Sequence, residues 1–128
     1  MKPNELMVGD FIRTIYSQKI IKVKEIKQSC IYTDDNGYEY NEIEPILLTS
    51  EILEKNGWFH NNEDEKFFPQ TWVGGGLMLQ GADDCGYRIV VTSDYDDEDT
   101  NGTPFIILYV HELQHALRLR RIKKEIIL

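Results

Sequence analysis

The sequence predicts an α+β protein: an N-terminal small SH3-like β-barrel, a short linking helix, then a β-meander packed by a C-terminal helix. Three observations carry that expectation. The first 47 residues break into short, mostly apolar runs separated by turn residues. Thr49-Ser50-Glu51 opens a short helical stretch that Gly57 closes. Further on, Ile106, Val110, Leu113 and Leu117 recur at helical spacing within one narrow wedge.

Residues 1–48 form the barrel module in this reading. Met7-Val8-Gly9-Asp10 is a turn leading into an extended run at 11–16. After Ser17-Gln18-Lys19 the chain returns through Ile20, Ile21, Val23 and Ile26, with Lys22 and Lys24 interleaved. Residues 30–33 make a third strand. Asp34-Asp35-Asn36-Gly37 reads as a tight turn, because Asn-Gly accepts the positive φ of a type I′ hairpin. Tyr38-Glu39-Tyr40 returns as the fourth strand, and Ile43, Ile46 and Leu47 are expected to close the barrel.

Residues 49–57 are the linking helix, with a hydroxyl to cap it, Glu51 in its first turn and Gly57 at its end. Residues 58–128 are the meander and final helix. Strands are expected at 58–60, around Phe67-Phe68, at 77–79 and, most clearly, at 87–91, with turns at 61–65 and 82–84. Beyond the acidic run at 94–99, the helix is expected from near Ile106 to about Arg121. Ile106, Val110, Leu113 and Leu117, flanked by Tyr109 and Ala116, then face the sheet, and His111 and His115 point roughly the other way.

Charge narrows the function classes. The 128 residues carry 22 acidic and 14 basic side chains, a formal charge of -8. That charge repels phosphate backbones and anionic lipid over most of the surface, so nonspecific nucleic-acid binding is disfavoured. The opening residues lack the apolar run of a secretory signal, and no stretch approaches the roughly 20 apolar residues of a membrane span. The expectation is a cytoplasmic protein. Cys30 and Cys85 show no Cys-x-x-Cys pairing and read as two reduced thiols.

One motif carries recognisable chemistry. His111-Glu112-Leu113-Gln114-His115 spells H-E-x-x-H. On a helix His111 and His115 lie one turn apart and could hold zinc, with Glu112 beside them to take a proton from a metal-bound water. Such a site wants a third ligand. Only Glu125 follows, and an upstream aspartate at 94–99 or His60 has no supporting spacing.

Weaker patterns have plainer explanations. Asp97-x-Asp99-x-Asn101-Gly102 copies the start of a calcium loop, but its twelfth position is Leu108 where a bidentate Glu is needed. Gly74-Gly75-Gly76 lacks the Lys-Ser/Thr of a phosphate cradle. Arg118, Arg120, Arg121, Lys123 and Lys124 are cations where a helix C-terminus favours them.

Three stretches carry a resemblance: residues 1–10 (Met1-Lys2-Pro3-Asn4-Glu5-Leu6-Met7-Val8-Gly9-Asp10), residues 46–58, which include Leu53-Glu54-Lys55-Asn56-Gly57-Trp58, and Tyr109-Val110-His111-Glu112-Leu113-Gln114-His115. In this order they look like a family of small proteins from phages, prophages and mobile elements of gut bacteria, to which no activity is assigned. Members of that family often have Gln where this chain has Glu112 and Asn where it has His115. The resemblance therefore implies that the zinc pattern is incidental.

The expected function is a noncatalytic accessory or interaction protein of a phage or mobile element, acting on a protein partner that the sequence does not name. The alternative is a small zinc-dependent hydrolase with His111 and His115 as metal ligands and Glu112 as base. A third reading, suggested by charge alone, is an acidic DNA-mimic inhibitor.

Overall fold

A computed structural model describes residues 1–61, 66–69, 77–82, 86–91 and 106–128. The acidic run at 94–99, the calcium-like pattern at 97–102, the glycines at 74–76, Cys85 and most of the two expected polar turns lie outside the described residues. The protein is a mixed α+β structure with three small antiparallel sheets, a short helix and a second helix packed on strands. It divides into two compact units: Met1–Leu47 with Tyr109–His111, and Leu48–Leu108 with Glu112–Leu128.

In the first unit six short strands follow one another: β1 (Phe11–Thr14), β2 (Ile20–Lys22), β3 (Glu25–Ile26), β4 (Cys30–Tyr32), β5 (Gly37–Glu39) and β6 (Ile43–Glu44). They make two three-stranded sheets, ordered β2-β1-β6 and β3-β4-β5. The alternation along 20–26 explains the division. Ile21 and Val23 are buried and Lys22 and Lys24 exposed, but Glu25 is exposed again and Ile26 turns inward. The period-two pattern thus shifts phase at Lys24–Glu25, and one run of chain serves two sheets. Leu6, Ile12, Ile21, Val23, Ile31 and Ile43 form the core, with Met1, Ile26, Tyr38 and Tyr40 packed against it.

Two expectations need correction here. The two sheets do not close into a barrel, because no ladder pairs β5 with β6. A 3-10 turn at Tyr40–Glu42 stands between them, held by a reciprocal capping box of Glu39 and Glu42. The turn before Gly37 is also not type I′, since neither Asn36 nor Gly37 has positive φ. Thr33 organises it instead: its N–H donates to the Asn36 carbonyl at 2.8 Å, and its hydroxyl accepts from the N–H groups of Asp35 and Asn36. Gly37 answers to space rather than dihedral angle, since a Cβ there would sit 2.9 Å from the Tyr32 ring.

The second unit opens with α1 (Ser50–Lys55). The Thr49 hydroxyl caps it by accepting the Ile52 N–H at 3.3 Å, and Gly57 follows at a φ of 92°. Five strands then run as a meander in chain order: β7 (Trp58–Asn61), β8 (Lys66–Pro69), β9 (Leu77–Ala82), β10 (Gly86–Val91) and β11 (Ile106–Ile107). The second helix, α2, spans Val110–Leu119.

The expected helical start near Ile106 is therefore wrong. Ile106 and Ile107 pair with Arg88 and Tyr87 as an edge strand. Two consecutive β-branched residues favour that pleat over a helix. Gly86 admits it, because any Cβ at that position would fall on the Ile107 carbonyl.

The helix ends in a Schellman arrangement: Ile122 N–H donates to Leu117 and Arg121 N–H to Arg118, with Arg121 itself at a φ of 58°. Leu113, Ala116 and Leu117 are buried, as are Leu53, Trp58, Met78, Leu79 and Ile107 of the same unit. The segment after α2 is tied down by the buried Asn56. Its amide donates to the carbonyls of Ile52 and Ile127, and its Oδ1 accepts the Ile127 N–H at 2.7 Å. Ile126 is buried beside it in sequence, and the Lys124 ammonium lies 5.3 Å from the Trp58 ring centre. No helix among the described residues is long and apolar enough to cross a membrane.

Candidate functional site

The three motif residues lie on α2, but their surroundings differ. Helices leave their first N–H groups without intrahelical partners, and a carboxylate in the first turn meets both those donors and the positive end of the dipole. Glu112 is placed there. Its Oε1 reaches back to accept the Leu108 N–H at 3.1 Å, the reach of a capping-box glutamate extended by one residue. Local folding thus already employs this carboxylate. To act as a base it would have to do so while holding a backbone donor.

His111, which the helical phase places off the sheet-facing wedge, is buried. It is 5% exposed, with its ring nearly parallel to that of Tyr109, 5.9 Å between centroids and 11° between planes. The late start of the helix is the cause. With β11 ending at Ile107, Tyr109 enters a β-bridge with Leu47 and Val110 donates to the Ile46 carbonyl at 2.8 Å. His111 is thereby held in a first turn that is bound to strand-like backbone. His115, one turn further, is half-buried, and Gln114 between them is buried.

Among the described residues, no three His, Cys, Asp or Glu side chains come together in a way that could hold a metal ion. Glu125 is exposed. The side chain of His60 and the carboxylates at 94–99 lie outside the described residues.

Two lysine–aromatic pairs, which the sequence reading passed over, sit on the two separate sheets of the first unit. Phe11 is paired with Lys22 across β1 and β2, and the Lys22 ammonium lies 5.7 Å from the Phe11 ring centre. On β4, Tyr32 lies across Gly37, and the Lys27 ammonium is 5.5 Å from its ring centre. A hydrogen bond with Cys30 is the main reason its hydroxyl titrates above the ordinary 10.0. The signal was available: lysines at alternate positions of a strand, with aromatic residues on the two strands it must pair with.

Comparison of the chain with protein-family models, with curated proteins and with solved structures gives no significant match.

Proposed function

We propose that this protein is a noncatalytic accessory or interaction protein of a phage or mobile element, working in the cytoplasm on a protein partner. The observation that carries the reading is the Glu112 carboxylate on the Leu108 N–H, which gives the motif's would-be base a structural duty. The burial of His111 against Tyr109 adds to it. The origin in a mobile element rests on the sequence resemblance alone.

The first unit fits an open, SH3-like module in this reading. Its run at 20–26 supplies β2 to one sheet and β3 to the other, and β6 returns beside β1 after a 3-10 turn. Such a module is a scaffold for recognition, and its fold does not by itself select a ligand.

The test uses Glu112→Gln and His115→Ala, each introduced into the native gene of its element. Both variants are expected to retain the element's phenotype, and the purified protein to carry no stoichiometric zinc when prepared without chelators. Loss of the phenotype in a variant that melts like the wild type, together with about one zinc per chain, would establish the zinc hydrolase instead.

A further inference from the structure

From two groups at the turn between β4 and β5, the Asn36 carboxamide and the Gly37 N–H, we infer a site of spontaneous covalent modification. Asn36 closes on Gly37 to a succinimide, which opens to isoaspartate or aspartate. The inference goes beyond the interaction reading and does not rest on it.

The chemistry needs only water and hydroxide. Hydroxide takes the Gly37 amide proton, the nitrogen attacks the side-chain carbonyl carbon of Asn36, and the bond from that carbon to the amide nitrogen breaks, releasing ammonia. Water then adds at one of the two imide carbonyls. Opening at the former backbone carbonyl gives isoaspartate, with the main chain routed through the side chain, and opening at the other gives aspartate. Nothing is oxidised or reduced. A following residue without a Cβ leaves the attack unobstructed.

The sequence holds three such pairs, Asn36-Gly37, Asn56-Gly57 and Asn101-Gly102. The last lies outside the described residues, and the structure separates the other two. Asn36 and Gly37 are both exposed. The Thr33 N–H donates to the Asn36 carbonyl, so along β4 and β5 the hydrogen-bonded positions are Thr33–Asn36 and Ile31–Tyr38, and the Tyr32–Gly37 pair between them exchanges no bonds. The Gly37 N–H therefore faces away from β4, and β5 is the edge of its sheet. Among the described residues neither this N–H nor the Asn36 carboxamide has a hydrogen-bond partner.

Asn56 is held quite differently. It is 5% exposed, its amide donates to the carbonyls of Ile52 and Ile127, and its Oδ1 accepts the Ile127 N–H. The Gly57 N–H donates to the Glu54 carbonyl. These bonds must open before the carboxamide and the nitrogen can meet, so reaction there waits on local unfolding.

The product acts on the hairpin. Isoaspartate adds a carbon to the main chain between Asn36 and Gly37, which breaks the register of β5 on β4 at its first pair. Either product also sets a new carboxylate beside the exposed Asp34 and Asp35.

The experiment is incubation of the full chain in native buffer at two pH values one unit apart, near neutrality, followed by tryptic peptide mapping. Lys55 and Arg88 place the three Asn-Gly pairs on different peptides, and electron-transfer fragmentation tells isoaspartate from aspartate. Asn36 is expected to convert about tenfold faster per pH unit, as a step first order in hydroxide, and at least about tenfold faster than Asn56. In guanidinium chloride, where only local sequence acts, the two rates should converge to within about threefold. Asn36→Gln should leave position 36 unconverted over the same period and melt like the wild type. The isoaspartyl chain, isolated by chromatography, should melt below Asn36→Asp, which has the charge without the extra carbon. Equal native rates at Asn36 and Asn56 would overturn the inference. So would an Asn36 rate independent of pH, or one more than about tenfold slower in the native protein than in denaturant. An isoaspartyl chain that melts like Asn36→Asp would overturn the effect on register.

Discussion

Arg121 holds a backbone conformation that side chains avoid. Its φ of 58° closes α2, a place usually given to glycine because a Cβ there crowds the following carbonyl. Arg121→Gly removes that crowding but loosens the unfolded chain, and the two effects oppose each other. The steric cost is about 1 to 2 kcal/mol and the entropic one about 0.4 to 1 kcal/mol, so the substitution is expected to stabilise by about 0.5 to 1 kcal/mol. Urea unfolding measures this directly, and a lower midpoint with an unchanged slope would contradict it. Tyr87 makes a separate prediction. Burial first, then Glu51 and Glu54, push its phenol above the ordinary 10.0. The unfolded chain gives up that proton at lower pH than the folded one, so stability declines as pH rises beyond about 10. Tyr87→Phe should flatten that decline, and alkaline melts of the two proteins that run parallel would show that the phenol is not responsible.

At the scale of elements, α2 is where reading and structure diverge most usefully. Val110, Leu113, Ala116 and Leu117 are buried as their spacing required, because a 3.6-residue period is visible without knowing what lies opposite. The strand at Ile106–Ile107 was not legible. Ile106 fits the same apolar wedge, and only a cross-strand partner far back in sequence decides between the two periods. The burial of His111 was not legible either, since it follows from where the helix begins. The closed barrel failed on a related point: alternation marks strands but does not say which edges meet. Leu113→Ala is expected to cost about 2 to 5 kcal/mol, whereas the half-buried His115→Ala should cost about 1 kcal/mol or less. Thermal melts of the pair without added metal test the assignment of helix faces. A larger loss for His115→Ala would reverse it.

Across the whole molecule the formal charge of -8 outweighs the few ion pairs of the first unit. Even the best of these, Arg13 with Glu44 at 2.9 Å, is partly exposed on both sides. Surface pairs of this kind are worth about 0 to 1 kcal/mol, while self-repulsion acts on the entire compact state. Raising ionic strength from about 0.01 to about 0.15 M shortens the screening length from about 30 to about 8 Å. The melting temperature should therefore rise with salt, and a fall would mean that attractive pairs dominate the charge balance.

The clamp from Asn56 to Ile127 joins positions 71 residues apart. Polypeptides grow at about 5 to 20 residues per second, so on the order of 4 to 14 s separates synthesis of the two partners. During that interval α1 and its Thr49 cap can form, because their bonds are local. The Asn56 amide, buried in the finished protein, has only the Ile52 carbonyl as a partner and otherwise bonds to water. The nascent second unit is thus obliged to stay wet at this corner. Its last backbone donor and acceptor arrive only when residue 127 has been added, which makes docking of that segment a late event in biosynthesis.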